Sequence, residues 1–385
     1  MPKPKTGANL AGSSVKIFRE SVKSDETWRQ YERNLIRFLR RFGFETDADA
    51  FLDTARSDPK WAEARIIDYI LEQKERVRKG EIVSGTLTNS RKPIRLFLEM
   101  NDLTLNWLKI NKTLPQMQRF ANDRSPTVDE IRKIIQYPDM RVEVIALVAC
   151  SSGIRVGAWD YLKLGHIKPI ERIGKVVACR LTVYAGTPDE YITFITPEAY
   201  ASIRRYLGYR EYHGEQMTPN SPLLRHVFNT SKPIEEWNGV ASKPTALKHS
   251  AVKRLIERVL WRYGFRTEKK RRHEFAIDHG FRKFFKTRAE QVMRPINVEW
   301  LMGHSTGISD SYYRPTENEL LDDYLKAVPL LTISEVEEVR QKSQQEKKVL
   351  EERLNRLEAS VGLLVSQKAE QLLSLAEIRR PDTSR

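Results

Sequence analysis

From Ser24 onward, Trp28, Tyr31, Leu35, Phe38 and Leu39 recur at three- and four-residue steps. That spacing lines one face of an α-helix. Ser24, just before Asp25, is suited to cap it, because its hydroxyl can accept an unpaired first-turn amide hydrogen. Similar periods predict helices around Trp61–Val77, Gly85–Glu99 and Leu103–Leu108, so 23–115 reads as a small all-helical domain. Residues 1–22 are polar, with Pro, Gly, Lys and Ser, and predict a flexible basic arm; 116–125 predict a linker.

Thr127 and Glu130 then have the spacing of a capping box, in which side chain and backbone satisfy each other's donors. The apolar run Val144–Ala149 continues as a buried helix up to SSGIR. At Ile167 the pattern changes to strands: KVVACRLTVYAG, a turn at TPDE, then YITFI predict a β-hairpin. Thr196-Pro197-Glu198 restarts a helix with proline where its missing N–H costs nothing. Helical segments follow over Lys248–Tyr263, Phe275–Gln291 and Val298–Met302, and Thr316 with Glu319 opens another through about Ala327. Residues 126–333 thus read as one α+β domain. Beyond Ile333, Leu350, Leu354, Leu357, Val361 and Leu364 alternate four- and three-residue steps, so 334–385 predict a helical or coiled-coil tail that self-associates. The fold class expected is mostly α with a small β-hairpin or sheet.

A chain of 385 residues is long for one core and suits two domains with an appendage. Lys and Arg number 66 against 51 Asp and Glu, a net +15. Such an excess favours a polyanionic partner through counterion release, although charge alone fits a solvated basic surface equally well. The two cysteines, Cys150 and Cys179, sit in apolar stretches and suggest a reducing compartment. The seven histidines are scattered, and HEFAI at His273 lacks the second histidine of a zinc-protease helix, so neither metal nor cofactor is expected. MPKPKTGANLAGSS has no apolar core of a secretion signal, and Val144–Cys150 is too short to span a bilayer. The expectation is a cytoplasmic, soluble protein with no membrane partner.

Three stretches carry candidate chemistry. SSGIRVGAWDYLKL places Arg155 just after a buried helix, HGFRKFF sets His279 and Arg282 three residues apart, and in LMGHSTGISDSYYRP His304 precedes Tyr313 by nine. Cutting a phosphodiester without metal needs two guanidinium forks on the non-bridging oxygens. It also needs histidines of near-neutral pKa to move protons, and a nucleophile that stores the bond. Each element has a plainer reading: a surface arginine, a decorated helix face, a packed tyrosine. Their conjunction, in this order over about 160 residues, is what argues for a site.

At these residues the chain resembles the tyrosine recombinases, the family of phage-type integrases and chromosome-dimer resolvases. Gly153-Ile154-Arg155, His279-Gly280-Phe281-Arg282, Gly303-His304 and Tyr313 match its G-x-R, H-x-x-R and G-H motifs and a tyrosine nine positions later. SYYRPTENELLDDYLKAVPLLTI is similar to integrases of archaeal mobile elements. The resemblance implies a helical, SAM-like core-binding domain and an α+β catalytic domain clamping duplex DNA. Arg155 and Arg282 would bind the scissile phosphate, His279 would act in proton transfer, and His304 would hydrogen-bond the phosphate. Tyr313 would form a 3′-phosphotyrosyl bond, and four copies, with possible DNA-bending accessory factors, would exchange strands through a Holliday junction. Relatives usually carry a lysine in the β-hairpin turn; here the turn reads YAGTPDE and Lys175 is the nearest lysine, a candidate leaving-group acid. Where many relatives place an acidic residue, three positions after the first arginine, this chain has Ala158. Lys269, Lys270, Arg271 and Arg272, with Arg91 and Lys92, are candidate DNA-backbone contacts. Two alternatives stay open: a relaxing topoisomerase of the same chemistry, and a DNA-binding accessory protein whose site has decayed.

Overall fold

The computed structural model describes residues 10, 12–44, 47–116, 124–227, 245–268, 273–275, 277–305, 307 and 312–334, with positions 353, 356, 357, 360 and 361 of the tail. The chain separates into two compact units, Met1–Ala121 and Asn122–Arg385.

The first unit is helical: α1 (Ser13–Glu20), α2 (Asp25–Arg41), α3 (Ala48–Ser57), α4 (Pro59–Arg78), α5 (Ser84–Met100) and α6 (Trp107–Lys112). Ser24 caps α2, accepting from Thr27 N at 3.4 Å. Two expectations need correction. The flexible arm fails over 13–22, because Val15, Phe18 and Val22 are buried and Asp49 accepts the Ser13 and Ser14 amides that open α1. The Phe18 ring contacts Trp28, Tyr31 and Phe97, which ties α1 into the core. The helix expected at Leu103–Leu108 begins only at Trp107, behind an Asn106 cap. Leu103, Leu105 and Trp107 are buried alternately, the period of extended chain and not of a helix. Lys92 is exposed on α5, whereas Arg91 is half-buried and donates to Asn111.

The second unit opens with α7 (Val128–Ile135), whose capping box between Thr127 and Glu130 is formed in both directions. Helix α8 (Met140–Ser152) follows, and it is buried on nearly every side, which explains its continuous apolar reading. After two short 3₁₀ turns, Val156–Asp160 and Leu164–His166, come β1 (Ile167–Arg172), β2 (Lys175–Val183) and β3 (Tyr191–Ile195). They form one antiparallel sheet in the order β1-β2-β3, so the expected hairpin gains a third strand. Helices α9 (Pro197–Tyr212), α10 (His249–Arg262), α11 (Ile277–Ala289), α12 (Pro295–Leu301) and α13 (Glu317–Leu331) complete the described elements. The unit has one contiguous hydrophobic cluster, with α8 central to it and Phe284, Phe285 and Tyr324 among its fully buried rings.

The basic run Lys269, Lys270, Arg271 and Arg272, and most of the expected coiled-coil seam, lie outside the described residues; of that seam Leu357 and Val361 are helical and exposed. Among the described residues no helix is long and apolar enough to cross a membrane, and no group of three or more His, Cys, Asp or Glu could hold a metal ion.

Just after α9, Glu215 is buried between two buried arginines, accepting from Arg210 Nε at 3.0 Å and Arg225 Nη1 at 2.8 Å. Arg210 also donates to the carbonyls of Pro222 and Leu223, and Leu223 N bonds Leu162 O at 3.0 Å. The triad therefore fixes the chain that backs the segment following Arg155. Burial acts to raise the Glu215 pKa, but the hydrogen bonds and charges of Arg210 and Arg225 outweigh it and hold the carboxyl below its ordinary value. A depressed folded-state pKa contributes stability above the unfolded value of about 4.3 and loses it as pH falls through the folded value. Glu215→Ala should lower the stability of the second unit by about 3–5 kcal/mol in urea unfolding of the full chain, because two buried cations lose their counter-charge. The gap between wild type and variant should narrow below about pH 4.

Candidate active site

Helix α8 ends at Gly153, which is left-handed (φ 61°) and donates to Ala149 O at 2.9 Å. A side-chain carbon there would stand 2.6 Å from the Phe285 ring, so both backbone and space require glycine. Ile154 is buried beyond it, and Arg155 emerges exposed at the start of the next turn. Arg155 Nη1 donates to Gly303 O at 3.0 Å.

Arg282 reaches the same place from α11. It is 7% exposed, donates to Gly153 O, and donates through Nη2 to Met302 O at 2.8 Å. Its Nη2 also lies 2.5 Å from His304 Nε2. Gly303 is left-handed (φ 61°), and a side-chain carbon on it would stand 2.5 Å from the Tyr191 ring. Two arginines from separate elements are thus anchored on the carbonyls of Gly153, Met302 and Gly303. Carbonyls hold a guanidinium without cancelling its charge, so the pair stays available to an anion. Burial, then the nearby Arg155 charge, lowers the Arg282 pKa, yet a guanidinium remains protonated in water.

His304 closes the cluster. Its Nδ1 contacts the Glu299 carboxylate, which also accepts from Lys286 Nζ on α11. Burial acts to raise the Glu299 pKa, but Lys286 and His304 outweigh it, so the carboxyl stays ionised. With the proton on Nδ1, Nε2 of the neutral ring carries a lone pair toward Arg282. Two phenols border the cluster. Burial pushes Tyr191 up to about 12, and its hydroxyl lies enclosed beside Arg282 without a well-formed hydrogen bond. Tyr184 is half-buried, raised by burial and lowered by Arg155 and Arg282.

No protein-family model and no curated protein matches the sequence. Solved structures do match. The Tn1549 transposon integrase in complex with transposon right end DNA is 13% identical, covers 80% of this chain and 96% of its own, and has a TM-score of 0.50. A lambda integrase tetramer bound to a Holliday junction is 15% identical over 79% of this chain and 78% of its own, at a TM-score of 0.49. XerA recombinase is 18% identical over 81% and 96%, at a TM-score of 0.35. The Tn1549 likeness carries the fold. The chain has the tyrosine-recombinase fold.

Within this recombinase fold the five predicted residues are not equally placed. Arg155, Arg282 and His304 converge as described. His279 lies one turn before Arg282 but is exposed, and its ring makes no hydrogen bond among the described residues. Three residues on a helix rotate a side chain about 60° short of a full turn, enough to put one member of the pair in the core and the other outside. The Tyr313 phenol is half-buried and donates to Asn297 Oδ1 at 2.5 Å, while Asn297 Nδ2 donates to Asp323 Oδ2 at 2.8 Å. Its neighbour Tyr312 is 85% exposed, which rules out a packing role for that ring.

Lys175 is also a correction. It pairs with Arg172 at the far end of β2, and eight strand steps of about 3.3 Å set it roughly 26 Å from Val183, where the hairpin turn begins. Its side chain cannot cross that distance. Glu299, Lys286, Tyr184 and Asn297 were not singled out in the sequence. The five-residue interval from Glu299 to His304 was the available signal, because it brings a helix residue back over the helix end.

Gly303→Ala should cost about 1–3 kcal/mol, since it combines a left-handed backbone with a collision at Tyr191. Urea unfolding of the full chain checks this; a change within about 0.5 kcal/mol would remove the constraint.

Proposed function

We propose that this chain is a site-specific recombinase of mobile-element integrase type, which cuts duplex DNA through Tyr313 and rejoins it to a new partner. The observation that carries this reading is the convergence of Arg155 and Arg282 beside His304, with both guanidiniums held by carbonyl oxygens. Two forked cations without carboxylate partners among the described residues suit a phosphodiester, whose two non-bridging oxygens gain charge as the phosphorus is attacked.

In this mechanism Arg155 and Arg282 hold the scissile phosphate, and His304 positions Arg282 by accepting from its Nη2 at Nε2. Glu299 fixes the His304 ring and its tautomer. The Tyr313 oxygen attacks phosphorus, its proton passes to the exposed imidazole of His279, and the 5′ oxygen leaves. The 3′-phosphotyrosyl bond retains the energy needed for rejoining. The Tyr313–Asn297 hydrogen bond must open for attack. The net +15 charge supplies the attraction to DNA. The helical first unit, with the exposed Lys92, adds backbone contacts, and the segment from Ser334 onward contributes to assembly as a tetramer on DNA.

The test is covalent capture on a randomised library of duplexes, each nicked beside the cut position so that the short 5′ product diffuses away. Wild type should retain DNA after denaturation, and sequencing the retained ends gives the cut sequence. Tyr313→Phe should retain none and Tyr312→Phe should retain the wild-type amount. Capture that persists in Tyr313→Phe overturns the assignment.

On the recovered sequence, Arg155→Ala and Arg282→Ala should each slow capture by about 10²- to 10³-fold, the scale for removing one preorganised charge donor. Gel-shift binding should weaken far less, and an equal loss in both measurements would make the arginines general DNA contacts.

A further inference from the structure

The turn between β2 and β3 brings a phenol to the two guanidiniums. Tyr184 directly follows β2, and its backbone is left-handed (φ 53°), a conformation that is strained for a residue with a side chain. The turn holds it there: Thr187 N and Oγ1 both donate to Tyr184 O, at 3.0 and 2.8 Å, and Gly186 N donates to Glu190 at 2.7 Å. The ring lies against Tyr161 at 5.3 Å and Tyr191 at 6.3 Å. Its hydroxyl stands 3.3 Å from where a side-chain carbon on Gly157 would be, over the turn that begins at Arg155. The phenol therefore sits beside the arginine cluster, within the fields of Arg155 and Arg282.

Its hydroxyl also has no partner within the protein among the described residues. Tyr324 donates to Ser151 O, the Tyr206 hydroxyl accepts from Arg225 N and Tyr313 donates to Asn297, but the Tyr184 hydroxyl has no hydrogen-bond partner among the described residues. Tyr191, the second phenol at the cluster, is sealed beneath Gly303. Tyr184 is half-buried and so remains reachable. Strain maintained by a turn, to present an unpartnered O–H to two cations, is what a group aimed at a bound anion requires.

We propose that Tyr184 is a catalytic residue, the proton donor to the 5′ oxygen that leaves when the phosphodiester is cut. This rests on the cleavage reading above. As the Tyr313 oxygen bonds to phosphorus, the P–O5′ bond breaks with its electron pair on oxygen. The Tyr184 O–H proton moves to that oxygen, giving a 5′ hydroxyl and a Tyr184 phenolate held by Arg155 and Arg282. On rejoining, the attacking 5′ hydroxyl returns its proton to the phenolate. The attacking and donating groups are both phenols, so cleavage and rejoining use the same pair of proton transfers in opposite directions.

The experiment uses full-length wild type and Tyr184→Phe, which keeps the ring contacts, on nicked duplexes of the recovered cut sequence. One duplex has the natural 5′ oxygen and the other a bridging 5′ sulfur, which leaves as a thiolate without needing a proton. Wild type should form the covalent adduct with both. Tyr184→Phe should be slower by about 10²-fold or more on the oxygen duplex and within about threefold of wild type on the sulfur duplex. Equal slowing on both, or wild-type speed on oxygen, overturns the proposal while leaving the cleavage reading intact. Wild type that forms an adduct with neither overturns both.

Discussion

The arrangement depends on holding two like charges together. Arg155 and Arg282 repel one another, and Arg282 is also largely removed from water. What holds them is main-chain geometry: the carbonyls of Gly153, Met302 and Gly303 accept their N–H groups. Those carbonyls point inward only because the chain turns left-handed at Gly153 and again at Gly303. Each glycine is further required by a ring packed against it, Phe285 in one case and Tyr191 in the other. The hydrophobic core thereby sets the positions of the charges. A carboxylate in direct contact would have relieved the repulsion at the expense of anion affinity. Glu299 is instead kept one residue away, behind His304 and balanced by Lys286.

Much of the fold could be read from local pattern. The capping pairs Thr127/Glu130 and Thr316/Glu319 formed as the spacing required, because a cap is decided within four residues. The strands β2 and β3 and the buried α8 were equally direct. Misreadings came where composition stood in for period. The segment VKIFRESV looks polar overall, yet Val15, Phe18 and Val22 carry the three- and four-residue spacing that buries α1. Helix α3 lies where no apolar period had been recognised, although Phe51, Leu52 and Ala55 supply one.

The site was legible to the extent that its members belong to short motifs. Arg155, Arg282 and His304 each follow a local signal, and tertiary structure gathers them. His279 shares the Arg282 motif but lies outside that cluster, because a sequence interval does not specify which side of a burial boundary a residue falls on. Lys175 was misjudged because nearness in sequence runs against reach along an extended strand. Tyr184 and Asn297 acquire their significance from partners 16 or more residues distant, or from a backbone angle, and neither has a signature in the sequence.

The bond between Tyr313 and Asn297 does not stand alone. Asn297 also donates to Asp323 on α13, and Asp323 accepts in addition from Arg294 N and Lys326 Nζ. Helix α13 ends where Ile333 N and Ser334 N are both gripped by Glu198 at the head of α9. A continuous polar line thus runs from α13 to the phenol. Any pull that slides α13 along its axis is transmitted to residue 313 as a change in the grip on its oxygen, without a ligand having to touch that residue.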